Sequence, residues 1–367
     1  MTETAAPLRI GVFGIRTIPS TYSGYETFAT VLLPELTRRG HDVTLFVRDH
    51  EHAGSDYKGV KRLRVPSIST KQLDTISHGW SATVAAITKH RFDVVLAFNV
   101  ANAPMMAALR ATGTPTVLNV DGQEWLRGKW GAVGRRVFRA SARISKRCAD
   151  TLVTDCHAMQ HVYRDQFNAE SEVIPYCWTE LLTPAELENQ KAADRLAKYD
   201  LEPGRYVVTG GRLVPENNVD KIVESYCRTT LDRDIVVLGT ANYDSPVTRA
   251  VQECATRDSR VRFLGHVHDR RDFGAILANA AVYFHGHSVG GINPSLIEAM
   301  GVGAHICALD TPFNREALGD AGRYFSDPAT AATEAVHLQS ASHEFDHLPI
   351  LARKRAQEEF GLERIAT

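Results

Sequence analysis

Residues 285–303 read HGHSVGGINPSLIEAMGVG, and the reading of this stretch decides the fold. The run 281–284 just before it, AVYF, is short and apolar, the form of a buried strand. Gly286, Gly290 and Gly291 then free the backbone to turn. Asn293 stands where a helix N-cap belongs, and Pro294 at the first helical position, where its missing N–H costs nothing. A helix is expected over 295–300, stopped by Gly301 and Gly303. A glycine loop feeding a helix N-terminus presents free N–H groups and the positive end of a dipole, which suits an anion. Glu298 falls about one turn inside that helix, as a carboxylate able to accept from ribose hydroxyls. Together these parts describe a nucleoside-diphosphate site. Alone they also describe an ordinary strand–helix turn, so the rest of the chain has to decide.

Outward from this stretch, strands and helices alternate in two separate runs. The second half has strands at 205–210, 235–238, 261–264 and 304–309. The loop 211–216 follows the first of these, and 265–269 follows the third. The first half opens with a strand at 8–13, a long turn-rich loop at 14–26, a helix at 24–39 and a strand at 42–47. Continuous apolar strands at 94–98 and 116–120 mark a parallel sheet covered on both faces. Short strands at 151–154 and 172–175 close the half, and the polar stretch 183–200 reads as a linker region. The expected fold class is α/β: two Rossmann-like domains whose parallel sheets face each other across a cleft. The divisions expected are an N-terminal acceptor-side domain (1–185), a C-terminal donor domain (186–345) and a final segment (346–367) returning toward the first. The loop after Gly11 is too long for the G-x-G-x-x-G turn, which argues against a nicotinamide dehydrogenase.

Composition narrows the classes further. At 367 residues with 44% hydrophobic and 23% charged residues, the chain suits a two-domain globular enzyme. A net charge of −1 implies no bulk affinity for nucleic acid. The six cysteines form no CxxC pair and read as reduced thiols, so the protein is expected in the cytoplasm without a structural metal. The N-terminus lacks a signal-peptide pattern, and no apolar run approaches the roughly 20 residues of a membrane span. Residues 126–149 hold eight Lys and Arg and no acid. Val133, Val137, Ala140, Ile144 and Cys148 recur there at helical spacing. An amphipathic helix with a basic outer face is expected, able to rest on anionic lipid at the inner face of a membrane or to receive a phosphorylated acceptor. A plain solvated face is the alternative. Asp121 and Glu124 follow the strand 116–120, at the strand end where open α/β sheets bind ligands.

With these residues in hand, the chain resembles the retaining glycosyltransferases of the GT-B fold grouped as family 4. The resemblance rests on 14–26 with RGHDV (39–43), GGRLVPE (210–216), FLG (263–265), and Pro294 and Glu298-Ala-Met300 with Gly303. Within that group it looks most like the rhamnosyltransferase-like branch, through IRTIPSTYSGYETF (15–28), NVDGQEWLRGKWG (119–131), HSVGGINPSLIEAM (287–300) and PFNREALGDAG (312–322).

The resemblance implies a nucleotide-sugar donor held by the C-terminal domain, with no permanently bound cofactor and no metal. Glu298 would take the ribose, and amides near Ser295 and Leu296 the diphosphate, with Gly290, Gly291 and Asn293 in the loop. Arg212 would neutralise the leaving diphosphate, and the backbone at Val267 would meet the base. Gly24 would let the first-domain loop approach the diphosphate, with Asp121 beside the reacting centre. Arg16, Glu26, Glu124 and Trp125 are expected on the acceptor side. The acceptor would be a saccharide, lipid-linked or a natural product; the oligomeric state is left open. Two departures from the pattern stand out. The acid usual eight residues before Glu298 is Gly290 here, which is compatible with a deoxyhexose donor such as dTDP-L-rhamnose, with UDP- and GDP-sugars as the other choices. The Lys usual after the Arg is replaced in the stretch Asn217–Asn218. An epimerase on the same fold, or a sugar-nucleotide-binding protein without turnover, are the competing readings.

Overall fold

The computed structural model describes residues 6–367 except 20–22, 52–53, 71–72, 121, 129, 179, 189–190, 241–244 and 341–343, and except the side chains of 184, 188, 191–193 and 337–340. The chain divides into two compact units, Met1–Cys177 with Leu362–Thr367, and Trp178–Gly361.

The first unit runs β1 (Arg9–Phe13), α1 (Gly24–Arg38), β2 (Asp42–Arg48), β3 (Asp56–Tyr57), β4 (Val60–Val65), α2 (Asp74–Thr88), β5 (Val94–Phe98), α3 (Ala103–Ala111), β6 (Thr116–Asn119), α4 (Ala132–Cys148), β7 (Thr151–Thr154), α5 (His157–Phe167) and β8 (Glu172–Val173). Its sheet has the order β3-β4-β2-β1-β5-β6-β7-β8, parallel except for the β3–β4 pair. Strands such as β2, buried from Val43 onward, carry apolar side chains on both faces because helices cover both.

The second unit runs α6 (Pro184–Glu188), α7 (Lys191–Ala197), β9 (Tyr206–Gly210), α8 (Val219–Cys227), β10 (Asp234–Leu238), α9 (Pro246–Arg257), β11 (Val261–Gly265), α10 (Arg270–Ala278), β12 (Val282–His285), α11 (Pro294–Gly301), β13 (Ile306–Leu309), α12 (Pro312–Leu318), β14 (Arg323–Phe325), α13 (Ala331–Ser340) and α14 (Leu348–Phe360). Its parallel sheet has the order β11-β10-β9-β12-β13-β14. One side of the core gathers Val207, Ile235, Val237 and Phe284 of the strands with Ile222, Tyr226 and Val251 of the covering helices. A last short helix, α15 (Leu362–Ile365), belongs to the first unit, where Arg39, the C-cap of α1, donates to Glu363 at 2.9 Å and to the Ala366 carbonyl at 2.9 Å.

Two expectations need correction. The apolar row of α4 does not face the sheet: Val133, Val137 and Ile144 are exposed, and the buried side is Phe138, Ser141, Ala142, Ser145 and Cys148. Small residues let α3 pack close, and closeness outweighed the larger side chains. Gly301 does not stop α11 but forms its last residue, with Val302 as C-cap, and the ring of Trp178 lies against it. A Cβ there would stand 2.5 Å from that ring.

At the C-terminal ends of β9 and β10 the backbones touch. The Gly211 amide donates to the Leu238 carbonyl at 3.1 Å, and the Gly239 amide to the Gly265 carbonyl at 2.7 Å. Gly239 sits at φ +105°, and a Cβ would come within 1.9 Å of the Gly211 carbonyl oxygen. Gly239→Ala therefore combines backbone strain with a clash, and should cost about 3 kcal/mol or more of unfolding free energy. Urea denaturation measures this; a midpoint unchanged from the parent would refute the close approach.

Candidate functional site

In an open parallel sheet, ligands bind beyond the strand ends where the order reverses direction. In the second unit that point lies between β9, which leads to β10 on one side, and β12, which leads to β13 on the other. The loop expected at 211–216, which continues to Asn218 before α8, and the glycine loop 286–293 after β12 both exit there.

Side chains stitch these two loops together. Asn217 donates through Nδ2 to the Arg212 carbonyl at 2.7 Å and accepts through Oδ1 from His287 Nδ1 at 2.9 Å. Asn218, at φ +51°, donates to the Gly286 carbonyl at 2.9 Å. Ser288 donates both its amide and its hydroxyl to the Glu216 carbonyl, each at 2.9 Å. Asn314 of α12 donates to the His287 carbonyl at 3.0 Å. Gly286 has no room for a side chain, since a Cβ would meet the Asn217 carbonyl oxygen at 2.4 Å. Asn217 and Asn218 thus spend their side chains on fixing the loop backbone. Arg212 is half-buried, its carbonyl held by Asn217 and by the Val214 amide at 2.8 Å.

The start of α11 is built as expected. Asn293 is the N-cap and Pro294 the first residue. The cap itself uses the Ser295 amide, which donates to Asn293 Oδ1 at 3.0 Å, and the Leu296 amide, which donates to the Asn293 carbonyl at 2.9 Å. The Ser295 hydroxyl also donates to Asn293 Oδ1, at 2.8 Å. Both amides expected to face a diphosphate are therefore engaged inside the cap. Gly290, at φ +106°, and the buried Gly291 lie in the loop before it.

Glu298 is buried, and burial raises its pKa, while the Arg270 guanidinium pulls it down. Arg270 Nη2 donates to Oε1 in a short charged contact; Oε2 has no partner among the described residues. Arg270 is the first residue of α10, capped by Asp269, and its guanidinium lies over the Phe273 ring at 4.8 Å. Val267 is buried in the loop before it, between His266 and His268, whose rings meet edge to face at 4.6 Å. Sequence reasoning missed Arg270. A signal was present: Arg270 and Arg271 stand in a helix first turn, where the dipole disfavours cations. Such residues need carboxylates, and Arg271 has Glu186 at 3.4 Å.

Below the site, His285 Nδ1 meets the Tyr283 hydroxyl at 3.1 Å, which reaches Ser295 Oγ at 3.5 Å. Burial pushes the imidazole down to about 3 and the phenol up to about 12, so both are neutral. His285 Nε2 is buried without a hydrogen bond among the described residues.

The first-unit candidates separate. Asp121 lies outside the described residues. Gly24 opens α1 behind the N-cap Ser23. Glu26 is buried, accepts from the Arg16 amide at 3.1 Å, and leaves Oε2 without a hydrogen bond among the described residues; burial raises its pKa. Glu124 is buried between Arg127, at 2.9 Å, and Trp130 Nε1, at 2.8 Å. Trp125 packs inside against Phe167 and Tyr163, with centroids at 5.2 and 6.1 Å. Among the described residues, no three His, Cys, Asp or Glu side chains group as metal ligands, and no helix is long and apolar enough to cross a membrane.

Arg270→Ala leaves the Glu298 carboxyl buried without its cation, which raises its pKa further. A carboxyl with a raised folded-state pKa favours folding below its unfolded pKa, and the benefit is lost as pH rises through the folded value. The variant should lose about 2 kcal/mol at pH 8, less than a fully buried pair because Arg270 is partly solvated, and clearly less at pH 5. Thermal melts at the two pH values test this; an equal loss at both would contradict it.

The descriptions of known families agree with this geometry. A "Glycosyl transferase 4-like domain" matches residues 23–177, and "Glycosyl transferases group 1" matches 193–345. Among curated proteins, none matches the chain by sequence. Several solved structures match it in fold. Sucrose-phosphate synthase from Thermosynechococcus elongatus is 16% identical at a TM-score of 0.80, over 98% of this chain and 96% of that one. HepE from Anabaena in complex with UDP is 14% identical at 0.74, over 98% and 97%. An α,α-trehalose-phosphate synthase (UDP-forming) from Burkholderia vietnamiensis is 11% identical at 0.73, over 98% and 98%. At these identities the likeness establishes the fold. Glycosyltransferase family models thus match residues 23–177 and 193–345 separately, and the fold is the GT-B architecture of two parallel-sheet α/β units.

Proposed function

We propose that the protein is a retaining, metal-independent glycosyltransferase that moves a sugar from a nucleoside diphosphate to a hydroxyl acceptor. The observation that carries this reading is Glu298, a buried carboxylate one turn inside α11 at the sheet's switch point, with one oxygen held by Arg270 and the other open. The open oxygen suits a sugar hydroxyl of the nucleoside. One available oxygen matches the single free hydroxyl of the deoxyribose in a dTDP nucleotide, its 3′-hydroxyl, and Gly290 puts no acid against the donor sugar. Both favour a dTDP-deoxyhexose such as dTDP-L-rhamnose. HepE was solved with UDP and with UDP-glucose, which supports a nucleotide-sugar donor and makes uridine the main competitor.

In this reading Gly290 and Gly291 supply the amides that meet the diphosphate, since Ser295 and Leu296 serve the cap. Val267 backs the base, and Arg212 with the start of α11 takes up the charge of the leaving group. The bond from the anomeric carbon to phosphate breaks as the bond to the acceptor oxygen forms on the same face. The departing phosphate oxygen receives the acceptor proton, so positioning and charge stabilisation are what the protein supplies. On the resemblance alone, Asp121 serves the reacting centre and Gly24 the approach of the first-unit loop. Arg16 and Glu26 belong to the acceptor side; Glu124 orders Trp130 and Arg127 there. Lipid-linked and other saccharide acceptors fit this scheme equally, and the unpaired, reduced-type cysteines support a cytoplasmic enzyme.

A melting-temperature panel of dTDP-, UDP- and GDP-sugars tests the donor, because a ligand of the native state raises the melting point. The dTDP-sugar should give the largest rise; no rise with any of the three would end the proposal. Arg212→Ala should lower kcat by about 100-fold or more, as loss of comparable charge stabilisers does. Turnover within a few-fold of the parent would remove Arg212 from this role. Glu298→Gln should raise the donor KM more than it lowers kcat, because a contact to the nucleoside is largely uniform binding. A change in kcat alone would contradict it.

A further inference from the structure

The first unit carries a surface to which the proposed function assigns no role. The helices α2, α3 and α4 belong to crossovers from β4 to β5, β5 to β6 and β6 to β7, which all step the same way along the sheet. Right-handed crossovers put the three on one face, and α3 packs against both neighbours. Two of these helices turn apolar rows to solvent. On α2, Trp80, Val84 and Ile87 are 45%, 56% and 40% exposed, at spacing i, i+4, i+7. On α4, Val133, Val137 and Ile144 are 73%, 43% and 40% exposed. Scattered exposed apolar residues are ordinary, but two rows on one face mark an interaction surface.

The charge beside the apolar row names the partner. Arg136, Arg143 and Arg147 form a second row on α4, exposed and next to the first, and no acid lies between Leu126 and Ala149. Arg135, Arg139 and Lys146 add further exposed cations. A second copy of the chain would bring the same positive charge against itself. Nucleic acid would use the cations and leave the valines and isoleucine wet. A lipid interface uses both: apolar side chains enter the acyl boundary, and guanidinium groups meet anionic headgroups. We propose that this face docks the protein on an anionic bilayer, with α4 lying in the interface and α2 adding its apolar edge. The inference does not depend on the donor-site reading, because vesicle binding requires no turnover.

The full chain should co-sediment with vesicles of phosphatidylglycerol and phosphatidylcholine, weaken as salt rises from about 50 to about 500 mM, and ignore vesicles of phosphatidylcholine alone. Two sets of exposed changes separate the parts: R136Q/R143Q/R147Q, and V133S/V137S/I144S. Each should lower partitioning by roughly tenfold or more, with melting temperature held within a few degrees. The serine set should also remove the binding that survives high salt. Wild-type protein that stays in the supernatant with anionic vesicles would overturn the proposal, as would variants that bind like the parent. A dimer in solution that the serine set dissolves, without vesicle binding, would assign the face to self-association and overturn it too.

Discussion

A carboxylate kept out of water beside the start of a helix is the constraint around which the second unit is arranged. Glu298 could not be buried there uncompensated; a lone buried ion costs several kcal/mol. Arg270 compensates it from a different helix, and Asp269 holds that helix in place by capping it. One oxygen is satisfied by Arg270, and the other has no partner among the described residues.

The constraint reaches outward through backbone packing. Two exit loops meet at the switch point, and they are joined by Asn217, Asn218, Ser288 and Asn314 rather than by apolar contacts. Such a network orders polar backbone without hiding it from a ligand, and it leaves the loops little freedom to part. Glycines appear where strands' ends touch, at Gly239 and Gly286, because a Cβ at either would strike a carbonyl. The site is therefore held by close approach and by hydrogen bonds, on the rigid ends of parallel strands. Asn217 and Asn218 add no charge to the site and instead hold its backbone.

Local signals were legible in the chain; distant ones were not. Asn293–Pro294 identifies a cap because both effects act within one turn, and the structure has that cap. Apolar runs such as 94–98 and 116–119 declare parallel strands for the same reason. The partner of Glu298 lies 28 residues away, so no spacing rule reaches it. The facing of α4 was misread because its apolar period fits a core as well as an interface. Packing on α3 chose Ser141, Ala142 and Ser145 over valine and isoleucine. Likewise the Ser295 and Leu296 amides looked free in sequence, and the cap had already taken them. In the structure Cys177 ends the first unit, and Trp178 opens the second by filling the space over Gly301.

The open oxygen of Glu298 can be interrogated with an unmodified protein. Titration calorimetry should compare the nucleoside diphosphate that binds tightest with its analogue lacking the 3′-hydroxyl. A hydrogen bond to a charged acceptor is worth about 1.5–3 kcal/mol, so the analogue should bind roughly 10- to 100-fold more weakly. Equal affinity for the two would mean that this carboxylate does not hold the nucleoside, and the account of the site would fall with it.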